Sequence, residues 1–461
     1  METITSADRR FAVVGAGIAG MSAALHLHKA GHQVELIEQM DVPGGRLGLD
    51  RLGERTVMTG GKNLGRKYTA LRGFLAELGD PEYEEFGINT SRVCDGKLLT
   101  LDSKLSAWEK IRRLRRLGSL RDLLKVAYLG FLVRRNDENR FLGSTAFTKI
   151  AAKNDHEPLS AHFGERIVHN MFRPMNVRMN GAEPDEVYLG TFGTNLSMIM
   201  DTYDQLTHSI APLVDELAKL VTIRTSSRVE QLITRDGRAV GLGFSEAGGP
   251  VTEHYYDGIV LAAPAHATAE IVKSDLPGLS DLLSEVRYFP ASVVLVEYDR
   301  PVFGSEVRAI VLDGGPCSNA GVYGIHDLNI VRYTFSGKHA RPTPTDAVLD
   351  EWIDDAEREI TGLLGVEHVE RVNIVKRIWD AAYCAYVPFH GTFLAQVRTE
   401  VAATPGLELA GDYLRGAPLE ASCRSGIEAA DKLLAQLWSP ARFPALPAPG
   451  VGRGRPGMSR R

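Results

Sequence analysis

Apolar and polar positions along the chain predict alternating strands and helices. A short apolar run at Phe11–Val14 is followed by a helical period over Met21–Lys29 and by a second apolar run at Val34–Ile37. Short apolar runs around a helix are typical of buried parallel strands in an α/β protein. Later in the chain, apolar and polar residues alternate on both sides of a turn at Asp236-Gly237, which predicts a β-hairpin.

The remaining periodicity predicts a helical middle section and a further sheet. Residues 141–216 have the spacing of helices, with many methionines and aromatics that suit either an ordinary core or an adaptable apolar pocket. A helix is predicted over Thr345–Gly365. Further strands are predicted at Arg55–Met58, Tyr255–Ala262, Ala291–Phe303, Arg308–Asp313 and Ile330–Ser336.

Three glycines lie where the first strand meets the first helix. Gly15 permits a tight turn, Gly17 lets the backbone approach a pyrophosphate, and Gly20 lets the helix pack on the strand. The start of that helix supplies N–H donors to phosphate groups. Glu38 ends the second strand, where it can accept hydrogen bonds from a ribose 2′-OH and disfavours a 2′-phosphate. The alternative is a tight turn that binds no ligand.

The segment after Glu38 indicates which dinucleotide is bound. It reads Asp41-Val42-Pro43-Gly44-Gly45-Arg46, and this ending resembles the flavin-containing amine oxidase superfamily, which includes protoporphyrinogen oxidases and phytoene-type desaturases. In that family the Gly-Gly-Arg segment contacts the pyrophosphate of FAD. The resemblance therefore implies FAD rather than NAD, with Gly45 and Arg46 among its contacts, together with Ala19 at the start of the helix.

A second motif near the other end of the chain strengthens the resemblance. A predicted strand ends at Ala410, Gly411-Asp412 follows, and Ser425-Gly426 lies in the last helix. By resemblance, Asp412 contacts a ribityl hydroxyl, and backbone amides from Leu419 to Ala421 face the flavin pyrimidine oxygen. A helix N-terminus there would stabilise negative charge on the reduced ring.

The resemblance also implies a discontinuous nucleotide domain. Val229 is expected to pair its backbone with the adenine, and the strand that ends at Ala262-Ala263-Pro264 is expected to close the nucleotide sheet. We predict a Rossmann-type FAD-binding domain over residues 1–80, 215–288 and 395–438. An α+β substrate-binding domain is predicted over 81–214 and 289–394, and a disordered, basic tail over 439–461.

Two residues are candidates for the chemistry. Lys62 follows Gly60-Gly61, a pair that the resemblance places beside the isoalloxazine ring, where a lysine would stabilise the anionic reduced flavin. Its alternative is a turn cap at the surface. Tyr383 or Tyr386 is expected opposite the flavin face, with strand-edge packing as the alternative. Cys384 is out of register for covalent attachment, so noncovalent FAD is predicted.

One departure from the family bears on the reaction. Amine oxidases of the family often carry a lysine early in the strand that leads to Pro301, but this position falls near Val293 without an adjacent lysine. The prediction is therefore two-electron oxidation or desaturation of a hydrophobic substrate by hydride transfer to flavin N5, with O2 or another acceptor. The alternatives are an amine oxidase that forms an imine, an isomerase without net redox, or a protein that binds FAD structurally.

Composition and charge bound the remaining possibilities. A net charge of −5 does not suggest nucleic acid, and the four cysteines have no metal-binding spacing. No apolar signal core is present, so a cytoplasmic enzyme is expected. The basic, amphipathic region 106–135 is either an interfacial helix on an anionic membrane or a helix pair with a solvated face. Substrate identity and oligomeric state stay open.

Overall fold

The computed structural model describes residues 9–86, 90–94, 97–101 and 117–437. The predicted disordered tail over 439–461 therefore lies outside the described residues, as does most of the first half of the basic region 106–135.

The strands of the described residues are as follows. They are β1 (Arg10–Val14), β2 (Gln33–Ile37), β3 (Leu49–Leu52), β4 (Arg55–Met58), β5 (Leu64–Gly65), β6 (Tyr83–Glu85), β7 (Thr90–Cys94), β8 (Lys97–Leu101), β9 (Tyr203–Leu206), β10 (Thr222–Arg224), β11 (Ser227–Arg235), β12 (Arg238–Glu246), β13 (Thr252–Tyr255), β14 (Gly258–Leu261), β15 (Tyr288–Tyr298), β16 (Ala309–Val311), β17 (Cys317–Val322), β18 (Ile330–Phe335), β19 (Arg371–Cys384) and β20 (Leu407–Leu409).

The α-helices of the same residues are named in the same way. They are α1 (Ile18–Lys29), α2 (Thr69–Glu77), α3 (Leu120–Arg135), α4 (Thr145–Ala151), α5 (Glu165–Ile167), α6 (Arg173–Asn180), α7 (Phe192–Ile199), α8 (Ala211–Ala218), α9 (Ala265–Val272), α10 (Pro277–Ser284), α11 (Asp346–Leu364), α12 (His390–Ala402), α13 (Asp412–Arg415) and α14 (Leu419–Leu437).

A parallel sheet brings distant parts of the chain together. Its order is β10-β2-β1-β14-β20, and every recorded pairing in it is parallel. The apolar side chains of β1 and β14 are fully buried, as expected for strands covered on both faces. Helices α1 and α14 pack against this sheet, with α1 coming from the start of the chain and α14 from its end.

A mixed sheet forms the other main layer. Its order is β19-β15-β18-β17-β16-β7-β8, antiparallel except where β16 meets β7. Helix α11 covers one face, where Val331, Tyr333 and Phe335 of β18 pack against Leu349 and Ile353. The predicted helix boundaries hold, because the Thr345 hydroxyl accepts from the Val348 amide and Gly365 ends the helix in a left-handed conformation.

The structure differs from the sequence predictions at two places. The single strand predicted over Tyr255–Ala262 is two strands, since β13 ends at Tyr255 and β14 begins at Gly258 in a different sheet. The intervening Asp257 amide bonds the carbonyl of Arg10, which turns the chain from one sheet to the other. Strand β17 (Cys317–Val322) was not predicted, because its small and polar residues lack a clear alternation.

Candidate functional site

The first glycine turn packs tightly on one side and faces open space on the other. Gly15 has a φ of +98°, and its amide donates to the carbonyl of Ile37 at 2.7 Å. A Cβ on Gly20 would lie 1.8 Å from the carbonyl oxygen of Gly15, so α1 can pack this closely only through glycine. A Cβ on Gly17 would meet nothing within 4 Å. The open space therefore lies at the N-terminus of α1, where phosphate groups are favoured.

Glu38 is fixed at the end of β2 by backbone amides. Its side chain is buried, and its two carboxylate oxygens accept from the Ala16 amide at 2.7 Å and from the Met40 amide at 2.9 Å. The carbonyl of Glu38 also accepts from the amide of Ser227, the first residue of β11. Val229 is the third residue of that strand, and it is buried. The structure thus brings the acid predicted for the ribose beside the strand predicted for the adenine.

The second glycine pair lies directly on the first turn. Gly44 and Gly45 have φ angles of +122° and +52°, which favour glycine, and the Gly44 amide donates to the carbonyl of Ala16 at 2.8 Å. A Cβ on Gly45 would lie 3.2 Å from Cα of Gly17. The two segments predicted to hold one pyrophosphate are therefore adjacent.

Arg46 and Asp412 form a two-point ion pair. Nη1 and Nη2 of Arg46 donate to the Asp412 carboxylate at 2.7 and 3.0 Å. Burial lowers the pKa of the Arg46 guanidinium, but the Asp412 carboxylate outweighs burial and raises this pKa above its ordinary value. The guanidinium also lies over the ring of Tyr288, 5.6 Å from its centroid. The pair joins segments that are 366 residues apart in the chain.

The last helix is held against the first by another glycine. A Cβ on Gly426 would lie 1.9 Å from the carbonyl oxygen of Ala19, which is itself buried. Before the helix, Gly411 has a φ of +149° and its amide donates to the Ser425 hydroxyl at 2.9 Å. The residues of the C-terminal motif are thus brought to the start of α1, although the two lie at opposite ends of the sequence.

The start of α14 faces the predicted flavin loop. A Cβ on Gly61 would lie 3.3 Å from the Leu419 side chain. Among the described residues, the Leu419 and Glu420 amides have no recorded acceptor, whereas the Ala421 amide donates to the carbonyl of Pro418 at 2.9 Å. The Glu420 carboxylate has a structural contact, because it accepts from the amides at the start of α2. Two backbone donors therefore remain for a ligand at this helix end.

These residues fit an adenine dinucleotide. The open space at Gly17 adjoins the N-terminus of α1, Glu38 lies at the carboxyl end of β2, and Arg46, which follows Gly45, pairs with Asp412. In open α/β sheets, ligands bind at the carboxyl ends of the strands, which is where these residues converge.

Lys62 is buried, so the alternative of a turn cap at the surface is wrong. Its ammonium nitrogen lies 3.7 Å from the centroid of the Phe86 ring and bonds the side chain of Gln205 and the carbonyl of Tyr323. Burial and the nearby Arg332 guanidinium lower the pKa of Lys62 well below its ordinary value.

The structure separates the two candidate tyrosines. Tyr386 is fully buried and its hydroxyl donates to the backbone carbonyl of Asp412 at 3.1 Å, which is a structural contact. Tyr383 is only partly buried and packs against Gly181, where an added Cβ would lie 2.6 Å from its ring. Burial raises the pKa of the Tyr383 phenol, and two guanidiniums, Arg332 and Arg178, oppose that rise.

Those two arginines were not predicted as site residues. Arg332 is the single charged residue of β18, which was visible in the sequence as a charge inside an apolar run. Arg178 lies in α6, where nothing in the sequence distinguishes it from other surface charges. A second unpredicted feature is a group of buried asparagines, since the Asn195 amide donates to both Asn176 and Asn180 at 2.9 Å.

A π-helical turn precedes α6. It spans Val168–Phe172 and connects α5 to α6 without a break in the helical path. Such turns are rare and frequently occur at functional sites. This one directly precedes the helix that carries Arg178 and Asn176.

The strand that leads to Pro301 contains no lysine. Val293 is buried in β15, between Arg377 of β19 and Thr334 of β18. The lysine that many amine oxidases of the resembled family carry early in this strand has no counterpart here.

Comparison with known proteins places the chain in a family. The family model described as flavin containing amine oxidoreductase matches residues 18–434. A segment of 60 residues is 48% identical to phytoene dehydrogenase from Streptomyces griseus and covers 13% of this chain. That match spans only 12% of the dehydrogenase's own length.

Solved structures share the fold at low sequence identity. A putative protoporphyrinogen oxidase from Exiguobacterium sp. 255-15 has a TM-score of 0.68 and 16% identity, over 94% of this chain and 100% of that one. A double mutant of putrescine oxidase has a TM-score of 0.73 and 15% identity, over 93% and 99% of the two chains. The resemblance inferred from the two terminal motifs and the predicted α/β fold are both confirmed. The chain belongs to the family of flavin containing amine oxidoreductases.

Proposed function

We propose that this enzyme binds FAD noncovalently and oxidises or desaturates a hydrophobic organic substrate by two electrons. When bound, the flavin would accept a hydride at N5, and O2 or another acceptor would reoxidise it. The observation that supports this proposal most directly is that the N-terminal glycine motifs and the C-terminal motif contact each other. Glu38 bonds the Ala16 amide, Gly44 bonds the Ala16 carbonyl, and the adjoining Arg46 pairs with Asp412.

The protein's own residues would bind and orient the reactants. We propose that the backbone at Gly15, Gly17 and Gly45 approaches the pyrophosphate, while the Leu419 and Glu420 amides stabilise charge on the reduced ring. Lys62 would hold the loop after Gly61 in place through its bonds to Gln205 and the Tyr323 carbonyl, and it would add positive charge when it is protonated. The space above the ring would be bounded by Tyr383, which packs the substrate and excludes water.

Purification and flavin extraction test the cofactor. The protein should be yellow, and denaturation should release all of its flavin as FAD into the supernatant. Glu38→Ala should weaken FAD binding, because the ribose loses its acceptor and the Ala16 amide loses its partner. A colourless protein that FAD cannot restore would refute the proposal, and flavin that stays with the denatured chain would refute noncovalent binding.

Anaerobic flavin reduction tests the reaction class. Amines, porphyrinogens, polyenes and polyketide-like compounds are mixed with the enzyme, and bleaching identifies the class that is oxidised. The second candidate is an amine oxidase, which the similarity to putrescine oxidase favours and the lysine-free strand β15 opposes. Product formation that needs reduced enzyme but leaves the substrate's oxidation level unchanged would instead indicate an isomerase.

We also propose the division into an FAD-binding part, residues 1–80, 215–288 and 395–438, and a substrate-binding part, residues 81–214 and 289–394. All strands of the parallel sheet fall in the first set. One small sheet crosses the boundary, because β5 pairs with β9 and β9 pairs with β6. Limited proteolysis should cut the loop between α2 and β6, at the boundary 80/81, before it cuts inside the sheets.

We further propose that α3 contacts an anionic membrane surface peripherally. Its outer face exposes Leu120, Leu124, Tyr128 and Phe131, while Leu129 and Val133 pack into the core. Arg121, Arg134 and Arg135 are exposed on the same helix, which suits anionic headgroups. None of the described helices is long and apolar enough to cross a membrane.

Vesicle sedimentation tests the membrane contact. The enzyme should sediment with vesicles that contain phosphatidylserine and less with phosphatidylcholine vesicles. The double variant Leu124→Gln/Phe131→Gln should lose this binding and keep its flavin. A wild-type protein that stays in the supernatant with both vesicles, at low and high salt, would contradict the contact.

A further inference from the structure

Two inward-facing arginines have no carboxylate partner. Arg178 and Arg332 are partly buried, and burial lowers the pKa of both guanidiniums. Their electrostatic neighbours include phenols, of which Tyr383 is common to both, and the Lys62 ammonium also lies near Arg332. Among the described residues, neither arginine forms a salt bridge, and Arg332 makes one long hydrogen bond, to the carbonyl of Met58 at 3.4 Å. Both residues keep some accessible surface, so a ligand can reach them.

Both arginines lie on the face of the mixed sheet that is turned away from α11. Arg332 alternates along β18 with Val331 and Tyr333, which pack under α11, so its side chain points to the opposite face. Its contact with Met58 places it at the end of β4, just before the loop that carries Gly61. This is the side of the sheet that faces the proposed flavin.

Arg178 reaches the same face from α6. The Ser336 hydroxyl, just after β18, donates to the carbonyl of Val177 at 3.2 Å, which fixes α6 across the sheet. Tyr383 packs against Gly181 at the end of that helix. Tyr383 therefore lies where α6 meets the sheet and is an electrostatic neighbour of both guanidiniums.

Two neighbouring arginines, in contrast, are paired with carboxylates. Arg173, in the same helix as Arg178, bonds Glu183 at 2.8 Å, and Arg341 bonds Glu186 through two nitrogens. Buried charges in proteins are ordinarily paired, because an unpaired charge carries a large desolvation cost. The missing anion at Arg178 and Arg332 is therefore best supplied from outside the chain.

We propose that the substrate carries a carboxylate, which binds to Arg178 and Arg332 beside Tyr383. This inference rests on the proposed function, since it names the substrate class for the same site. The carboxylate would hold one end of the substrate against the mixed sheet. The apolar remainder would extend toward the flavin loop at Gly61, where the hydride is removed.

Binding of simple acids and their amides tests the proposal. Isothermal calorimetry and flavin difference spectra of the purified holoprotein are recorded with phenylacetate, hexanoate and decanoate, and with the three corresponding neutral amides. At least one acid should bind, and its amide should bind at least about tenfold more weakly. Arg178→Gln and Arg332→Gln should each raise the dissociation constant of the acid about 10- to 100-fold.

Matched variants separate binding from folding. Arg173→Gln removes a paired arginine from the same helix and should leave acid affinity within about twofold. Arg332→Lys keeps the charge but loses the planar fork, so its affinity should fall between those of wild type and Arg332→Gln.

Three outcomes would overturn the proposal. They are equal binding of acid and amide, no binding of any of the three acids, and unchanged acid affinity in both glutamine variants. Failure of the proposed function is distinguishable from these, because acid binding is measured by calorimetry, whereas oxidation of the substrate is measured separately by anaerobic flavin reduction.

Discussion

The two sides of the candidate site are built on opposite principles. On the nucleotide side, backbone groups lie in close contact and charges are paired, as in the Glu38–Ala16 contact and the Arg46–Asp412 ion pair. On the proposed substrate side, Arg178 and Arg332 have no carboxylate, and the buried Nδ2 donors of Asn176 and Asn180 lack an acceptor. The polar groups that remain for a ligand are backbone amides on the first side, such as those of Leu419 and Glu420, and side chains on the second.

This difference shows how one fold can serve many substrates. A cofactor that is common to a family can be bound by backbone groups in a fixed geometry. Few sequences can adopt that geometry. A substrate that differs among members is matched by side chains placed on separate elements, here α6, β18 and β19. Charges held without partners cost stability, so they are best explained by what they bind.

The largest expected effect lies in the close contact of the first and last helices. Gly426→Ala would place a Cβ 1.9 Å from the carbonyl oxygen of Ala19, so we expect loss of more than about 4 kcal/mol of unfolding free energy and of flavin binding. Gly73→Ala in α2 is the control, because nothing lies within 4 Å of the new methyl. It should stabilise the protein by up to about 1 kcal/mol in urea unfolding. Equal stability of the two variants would contradict the contact.

The ion pair between the chain ends comes next. Asp412→Ala leaves the Arg46 guanidinium partly buried without its carboxylate and should cost about 3 kcal/mol in urea unfolding. Asp355→Ala breaks an exposed pair with Arg358 and should cost less than about 0.5 kcal/mol. If the two variants lose similar amounts, the Arg46–Asp412 pair is no more than a surface contact.

Acidification should destabilise the contact between His390 and the backbone of Tyr413. His390 is buried, its Nε2 lies 2.9 Å from the carbonyl of Tyr413, and burial lowers its pKa to about 4. The unfolded chain binds a proton near pH 6.5, so stability should fall by about 2 kcal/mol between about pH 7.5 and pH 5. His390→Gln keeps a donor and removes the titration. Its urea midpoint should therefore depend less on pH than that of wild type, and an equal slope would exclude His390.

The smallest effect on the unfolding free energy is expected for Arg178 and Arg332, which lack a carboxylate partner. Arg178→Gln and Arg332→Gln should leave the unfolding free energy of the substrate-free protein unchanged or raise it by up to about 1 kcal/mol, because an unpaired buried charge is removed. Arg173→Gln should lower it by about 2 kcal/mol, since the largely buried Glu183 loses its partner. Urea unfolding compares the three variants. Similar losses in all of them would show that Arg178 and Arg332 are structural.

The glycine turn and the acid of the proposed nucleotide side were predictable, because the residues that indicate them are close together in the sequence. Gly15, Gly17 and Gly20 stand in one turn, and Glu38 follows at the end of the next strand, so their spacing alone suggests the ligand. The helix over Thr345–Gly365 was predictable for the same reason, since its capping residues directly flank it in the sequence. The division of Tyr255–Ala262 into two strands was not predictable, because it depends on which sheets the two halves join.

The family and the first and last motifs could be predicted from the amino-acid sequence, because glycines and caps constrain the backbone within a few residues. Three features depend on how distant segments fold against each other: Lys62 is buried, Tyr386 supports Asp412 while Tyr383 packs against Gly181, and two arginines lack carboxylates. Pairing of a charge depends on which distant side chains meet it. That information lies in the packing of α6 on the mixed sheet and in no stretch of sequence.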